Sequence, residues 1–272
     1  MIQKLLVLLV HFGPKTKRWF WKVWYNVFAK KAYSYDFFFM NYGFSDENLF
    51  IEIAPEEERE RYPAQLYHHT ANQEDISEKK VLEVGSGRGG GASYVSRYLK
   101  PKSVVGIDIS KNAVTLCNSI HQYPNLSFCV GDSEKIPFEN ESFDVVLNVE
   151  SSHCYGNIPL FLTEVKRVLK PGGFFLWADF RLTKEMPVLF NCFLDSGLEK
   201  IREKDITNSV VNALKKMSKE RKEKIKKHVP RPIQPVFMSY AGIEGSEIYG
   251  SFTQKKLIYK SATFKKTKIS FQ

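Results

Sequence analysis

The sequence predicts an α/β fold: a mostly parallel sheet covered on both faces by helices. Three features predict it. Short apolar runs alternate with helical stretches between residues 79 and 180. A glycine-rich loop, "GSGRGGG" at 85–91, follows the first of these runs directly. Polar or glycine residues close each run, at 85–91, Asp108, Asp132, Glu150 and Asp179. Strictly alternating strands and helices imply parallel strands joined by helical crossovers. Ligands of such sheets bind outside the carboxyl ends of the strands, where these polar residues stand.

Each element has its own signal. "KVLEV" is a short buried strand, and residues 92–99 read as a helix. "SVVGID" is a second strand that ends on Asp108, and Ser110 is an N-cap for the helix that runs to about His121. "LSFCV" is a third strand, closed by Gly131-Asp132, and "FDVVLNV" a fourth. Residues 158–169 form a helix with Phe161, Val165, Val168 and Leu169 on one side. Pro171-Gly172-Gly173 stops it, and "FFLWADF" is a fifth strand.

Composition narrows the class. A chain of 272 residues with 43% hydrophobic content builds a sizeable core, as one α/β domain with decorations. Its cysteines, Cys117, Cys129, Cys154 and Cys192, form no C-x-x-C pair, which speaks against a zinc site and a disulfide framework and for a reducing, cytoplasmic setting. The adjacent His68 and His69 have no third ligand nearby, so no metal is expected. The net charge of +10 favours anionic partners. "LKKMSKERKEKIKKH" at 214–228 reads as a solvated helix, and the tail from Lys255 onward as a basic extension.

The N-terminus is distinctive. "MIQKLLVLLVHF" is too short to span a bilayer. In "KTKRWFWKVWYNVFAKK", Trp19, Phe20, Val23, Trp24, Val27 and Phe28 share one helical face, ringed by Lys15, Lys17, Arg18, Lys22, Lys30 and Lys31. Two readings fit: peripheral membrane contact through residues 1–31, with the helix lying in the interface, or a helix packed over the active site.

The glycine loop leaves the cofactor open at first. Gly85-x-Gly87-x-x-Gly90 matches the fingerprint of dinucleotide-binding enzymes, and Asp108 suits the ribose acid of that motif. The ordered set "EVGSG", "GID", "GDS", "IPF" and "LKPGG" instead resembles the class I S-adenosylmethionine-dependent methyltransferases. The resemblance implies a Rossmann-like, doubly wound, mostly parallel seven-stranded sheet with an N-terminal helical cover. It implies a cover over 1–62 and a catalytic domain over 63–272, with a helical insertion at about 186–235. S-adenosyl-L-methionine is then the cofactor. Gly85, Ser86, Gly87 and Gly89 would approach its methionine end, and Asp108 with Ile109 its ribose. Asp132 and Ser133 would read its adenine. Glu83 would order the loop and the ammonium group, Tyr67 would close over the cofactor, and Asn148 would join the same site.

A closer resemblance covers nearly the whole chain. "LYHHTANQEDISEKKVLEVGSGRGGGASYVSRYLKP", "GDSEKIPFENESFDVVLNVESSHCY" and "FLTEVKRVLKPGGFFLWADFR" are similar to the mycobacterial phthiotriolone and phenolphthiotriolone dimycocerosate methyltransferases. That family implies methylation of a hydroxyl on a lipid-like or polyketide-like molecule. A second reading is C-methylation of a sterol or isoprenoid, which requires an acid-rich, aromatic-lined site. A nucleic-acid substrate is not expected, because the basic segments do not flank the predicted site and no N-P-P-Y motif follows the fourth strand. The oligomeric state stays open.

Methyl transfer to an alcohol gains from a general base. His153 follows the fourth strand, and Asp179 ends the fifth, its expected neighbour. His153 is therefore expected to be the base, available as such at neutral pH, with Asp179 raising its pKa somewhat and fixing the ring. The alternative is that His153 only shapes the pocket and water removes the proton. Phe37, Phe38, Phe39, Tyr42, Phe190, Phe193 and Phe237 are candidate walls of an apolar pocket, or plain core.

Overall fold

A computed structural model of the chain describes residues 38–267. The strands are β1 (Lys80–Val84), β2 (Ser103–Asp108), β3 (Leu126–Val130), β4 (Phe143–Val149), β5 (Leu169–Leu182), β6 (Glu199–Asp205) and β7 (Leu257–Lys265). They form one seven-stranded sheet in the order β3-β2-β1-β4-β5-β7-β6. All pairs are parallel except those of β7, which runs antiparallel to β5 and β6. The chain winds outward from β1 to β3, then returns to place β4 on the other side of β1. This reversal opens a crevice above the carboxyl ends of β1 and β4.

The helices are α1 (Arg61–Ala71), α2 (Gly90–Tyr98), α3 (Lys111–Ile120), α4 (Ile158–Val168), α5 (Met186–Asp195), α6 (Thr207–His228), α7 (Gln234–Tyr240) and α8 (Glu247–Thr253). Ser110 caps α3 by accepting from the Ala113 amide, and Asn157 caps α4 by accepting from the Leu160 amide. Successive strand residues face opposite ways, so the core splits into two layers. Val145, Leu147 and Val149 of β4 pack with Leu66, Val95, Val210 and Leu214 on one face. Val146, with Leu82 and Trp177 of the neighbouring strands, packs with Phe161, Val165, Leu189 and Phe193 on the other. Covered on both sides, the central strands carry almost continuous apolar sequence. Glu83 and Asp179, both without solvent exposure, stand out as exceptions.

Several expectations are revised. The stretch 186–235 is not wholly helical, for it contains the edge strand β6. That strand is exposed along its length and almost entirely charged, a composition that protects a sheet edge from pairing with other chains. Its carboxylate Glu203 binds Lys200 of the same strand and Lys260 of β7. The basic extension from Lys255 onward contains the strand β7, which pairs between β5 and the edge strand β6. Pro171-Gly172-Gly173 lies inside β5, where the register with β4 shifts, rather than before it. Phe190 and Phe193 belong to the core layer around Trp177 and Phe264.

Of the N-terminal cover expected over 1–62, the described part is irregular chain up to residue 54, followed by the 3₁₀ helix Pro55–Glu60 and the start of α1. Phe39, Tyr42, Phe44 and Ile51 join the same core layer as α1 and α6. The aromatic and basic helix expected at 19–28 lies outside the described residues.

Candidate active site

One cleft lies above β1, β2 and β4. It is lined by the loop after β1, by Asp108 and Ile109 after β2, by Asp132 and Ser133 after β3, and by Glu150, Ser151, Cys154 and Tyr155 after β4. Tyr67 and residues 38–41 close it from above. Of the residues singled out from the sequence, Tyr67, Gly85, Ser86, Gly87, Asp108, Ile109, Asp132 and Ser133 line this cleft. Glu83, Gly89 and Asn148 stand behind its wall, and His153 and Asp179 lie beside it.

The glycine loop is fastened to β2. The amides of Gly85 and Ser86 both donate to the Ile107 carbonyl, at 2.8 and 2.9 Å. The Gly87 amide donates to Asp108 Oδ2 at 3.0 Å, and the Ser110 amide to Oδ1 at 2.8 Å. Burial pushes the Asp108 carboxyl up to about 6, against the pull of these two amides. Gly91 is required by close approach: a Cβ there would sit 1.9 Å from the Tyr67 ring. Gly89 serves the rear of the loop. It holds φ at 78° before α2, and a Cβ would strike His121 and Phe128.

The buried groups behind the wall position those in front. Tyr67 donates to Glu83 Oε1 at 2.6 Å. Burial raises Glu83 to about 7, while the Tyr67 hydroxyl and the Ala92 amide draw it back. Asn148 Nδ2 lies 2.9 Å from the Val84 carbonyl, 2.7 Å from Ser151 Oγ and 2.9 Å from the Tyr155 hydroxyl. Asn148 thus ties the end of β1 to the two side chains that form the cleft floor.

The residues after β4 and β5 form a second constellation. Asp179 Oδ1 accepts from His153 Nδ1 at 2.9 Å, and Oδ2 accepts from the Ser152 hydroxyl at 2.7 Å and the His153 amide at 2.9 Å. Arg181 Nη1 is 3.1 Å from Oδ2. Burial opposes the charge on Asp179, but His153 and Arg181 outweigh it and hold the carboxyl well below the usual range. Burial likewise lowers His153, but Cys154 and Asp179 outweigh it and push the imidazole up to about 10. The upward direction agrees with the expectation that Asp179 raises His153, and opposite a dry carboxylate the charged ring is favoured. Beside this pair, Tyr42, Phe180 and Phe252 pack at 5.4–5.7 Å between ring centres, and the His153 ring lies 4.5 Å from Phe180.

Sequence reasoning passed over Glu150 as a functional side chain, and it missed the roof formed by Met40 and Asn41. The Tyr42 amide donates to Glu150 Oε2 at 2.8 Å, and Arg221 of α6 donates to the Asn41 carbonyl at 2.9 Å. The signal available for Glu150 was its position at a strand end beside His153.

Fold and cleft together define a class: an α/β enzyme that binds a nucleoside-type cofactor beside an acid–imidazole centre. Residues 75–256 match the family model described as a methyltransferase domain, and the chain belongs to that family. It is an S-adenosylmethionine-dependent methyltransferase. A probable phthiotriol/phenolphthiotriol dimycocerosates methyltransferase 2 of Mycobacterium ulcerans (strain Agy99) is 39% identical over 83% of this chain and 88% of its own length. A fatty-acid O-methyltransferase of Mycolicibacterium smegmatis is 40% identical over 72% of each chain. Among solved structures, the [4+2]-cyclase SpnF aligns with a TM-score of 0.71 at 16% identity, covering 91% of this chain and 95% of its own. The cyclopropane synthase MmaA2 from Mycobacterium tuberculosis aligns with a TM-score of 0.67 at 16% identity, covering 89% of this chain and 97% of its own. These two likenesses concern the fold.

The cleft fits S-adenosylmethionine by its own features. Ser86 Oγ, in the loop, is buried with no hydrogen-bond partner among the described residues. Asp108 faces the cleft with acceptor capacity beyond its two amides, as nucleoside hydroxyls require. At the start of α2, Gly91 brings backbone to the cleft wall without a side chain, while the Gly90 amide is taken by the Phe38 carbonyl at 3.3 Å.

The packing around Gly91 can be tested directly. Gly91→Ala forces the Tyr67 ring off Glu83, an overpacking that costs about 1–3 kcal/mol. Thermal unfolding is expected to show a lowered Tm and little further stabilisation by S-adenosylhomocysteine. Gly250→Ala in α8, where an added Cβ meets nothing within 4 Å, should leave that response intact.

Proposed function

We propose that this methyltransferase transfers a methyl group to an oxygen of a hydrophobic acceptor, the hydroxyl of a long-chain lipid-like or polyketide-like molecule. The observation that carries the reading is the apolar lining of the cofactor cleft, where Phe38, Phe39, Met40, Val149 and Tyr155 stand beside Glu150 and Cys154. Such walls bury an alkyl chain while a few polar groups orient its reacting end. The acceptors named for the relatives, phthiotriol and fatty acid, support the same class.

When bound, S-adenosylmethionine supplies an activated methyl group on sulfur. Gly85, Ser86, Gly87 and Tyr67 are placed to hold its amino-acid end, Asp108 and Ile109 its ribose, and Asp132 and Ser133 its adenine. Glu83, Gly89 and Asn148 act from behind, by fixing Tyr67, the start of α2 and the floor of the cleft. His153 and Asp179 serve as a charged pair, in which Asp179 orients the ring and the imidazolium sets the potential at the acceptor end of the cleft. C-methylation is disfavoured. It needs ionised carboxylates facing a carbocation, whereas Asp179 is neutralised by His153 and Arg181, and burial pushes Glu150 up to about 8. The same positive groups favour a second acceptor, a long-chain carboxylate, whose charge they offset.

The direct test is transfer of labelled methyl from S-adenosylmethionine to 1-hexadecanol and to palmitate. Labelled ether or ester is expected in the organic phase. Label in neither acceptor, with S-adenosylhomocysteine still bound, would refute the reading.

The charge on His153 also makes stability depend on pH. Its pKa rises from 6.5 to about 10 on folding, so protonation favours the fold. The contribution is complete below the unfolded value and is lost as pH rises through the folded one. The Tm advantage of wild type over His153→Gln should therefore be largest near pH ~6 and shrink steadily toward pH ~10. An advantage that grows with pH would mean the ring is held neutral.

Residues 1–31 are proposed to make peripheral membrane contact. Their basic residues each contribute about 1 kcal/mol at an anionic surface, an attraction that salt weakens. Among the described residues no helix is long and apolar enough to cross a membrane. Deleting residues 1–31 is expected to abolish co-sedimentation with phosphatidylserine-containing liposomes while cofactor binding persists. Equal sedimentation of both forms would assign the segment to packing alone.

A further inference from the structure

We propose that Glu150 is the catalytic base, the group that takes the proton from the acceptor hydroxyl. The inference rests on the alcohol reading above and names the residue that serves it. Glu150 is the first residue after β4, at the switch point of the sheet, and it lines the cleft. Its backbone is left-handed, with φ at 48°, a conformation that a glutamate rarely adopts. The strain is held by its amide, which donates to the Ala178 carbonyl of β5 at 2.7 Å. Such strain at a cleft is commonly retained where it aims a working side chain.

The carboxylate is half committed. The Tyr42 amide and the Tyr259 hydroxyl both donate to Oε2, at 2.8 and 3.1 Å. Oε1 has no hydrogen-bond partner among the described residues, and so has lone pairs to offer an acceptor. The two donors on Oε2 fix the side chain without satisfying the second oxygen. The other candidates are already engaged. The Tyr67 hydroxyl donates to Glu83, and His153, bound through Nδ1 to Asp179, is pushed up to about 10, so that its Nε2 carries a proton at the working pH. A base in a water-poor enclosure must also be poised near the working pH. Burial pushes Glu150 up to about 8, with Asp179 acting in the same sense and the Tyr42 amide and His153 opposing it. Arg221 of α6 adds a further positive charge facing it. Tyr67, Tyr240 and Tyr259, from α1, α7 and β7, also face it, each held above the usual phenol range by burial first.

The step balances without any other reactant. The acceptor oxygen forms the new bond to the methyl carbon, and the electron pair of the broken carbon–sulfur bond stays on sulfur. The acceptor proton passes to Glu150 Oε1. The products are the methyl ether, S-adenosylhomocysteine and a neutral Glu150, which returns its proton to solvent.

The test compares 1-hexadecanol, which must lose a proton, with palmitate, which arrives ionised. Wild-type kcat/KM for hexadecanol is expected to fall as pH drops below about 8. Glu150→Gln should remove that limb, lower hexadecanol transfer by about 10²–10⁴-fold, and lower the hexadecanol-to-palmitate ratio by more than about tenfold. Glu150→Asp should recover part of the loss, and His153→Gln should move the limb to higher pH by removing a stabilising charge. A thermal shift with S-adenosylhomocysteine verifies that each variant folds and binds. Hexadecanol transfer by Glu150→Gln within about threefold of wild type, or equal loss on both acceptors with the pH limb intact, would overturn the proposal. Wild type that methylates neither acceptor would overturn the alcohol reading, and this proposal with it.

Discussion

Asp179 carries a charge with no access to water, and that charge persists because donors converge on both of its oxygens. An isolated carboxylate in such a place would take up a proton instead. The condition for keeping it ionised reaches through the whole centre. Ser152 must turn its hydroxyl inward, where it also accepts from Trp177 Nε1 at 3.0 Å and Arg181 Nη2 at 2.9 Å. The chain after β4 must bend into the short 3₁₀ turn Ser152–Cys154, so that the amide and ring of His153 both reach the carboxylate. The carboxylate in turn favours the charged form of the imidazole, which is pushed up to about 10. Glu150, the residue that opens this bend, is left facing the cleft.

The same buried charge links the catalytic end of the sheet to the chain's N-terminal part. Glu150 holds the Tyr42 amide, and Tyr42 stacks near Phe180, which follows Asp179 directly. Arg221 holds the neighbouring Asn41 carbonyl from α6, and Gly90 at the start of α2 donates to the Phe38 carbonyl at 3.3 Å. The roof of the cofactor cleft is thus fastened at both ends, to the cofactor loop and to the acceptor-side carboxyl. Segments far apart in sequence meet here because the doubly wound topology brings every strand's carboxyl end to one edge.

The outline of this fold was legible in the sequence, and its electrostatics were not. Apolar runs bounded by turn residues marked β1 to β5, because strands buried on both faces leave a continuous apolar signature. β7 was hidden because its half-buried lysines, Lys260 and Lys265, break up a run in which Tyr259, Ala262 and Phe264 supply the buried contacts. β6 was hidden because an edge strand that needs charge for protection has no apolar face to display. At the site, residues facing the cleft followed from their place at strand ends. Asn148 and Glu83 stand one layer deeper, a distinction set by side-chain direction within a strand and not by spacing. The pairing of His153 with Asp179 was readable from adjacent strand ends. Its protonation was not, since that depends on Cys154 and on full desolvation of the carboxylate, both products of the tertiary arrangement.

The likeness to a [4+2]-cyclase and a cyclopropane synthase shows how little the scaffold alone decides about chemistry. A nucleoside-type cleft between β1 and β4 comes with the topology. What this chain adds is at the ends of β4 and β5, where one carboxylate is ionised and saturated and the next is nearly neutral with one oxygen free. The difference follows from their neighbours. Asp179 faces His153 and Arg181 at hydrogen-bonding distance, so its charge is offset locally. At Glu150 burial dominates: an amide and a phenol are its hydrogen-bond donors among the described residues, and these with the charge of His153 do not offset burial and the like charge of Asp179. Two neighbouring buried acids are thereby shifted in opposite directions, Asp179 down and Glu150 up to about 8, the separation that suits one to anchor a site and the other to exchange protons. For an alcohol acceptor this arrangement supplies what the methyl donor cannot: a place for the proton to go.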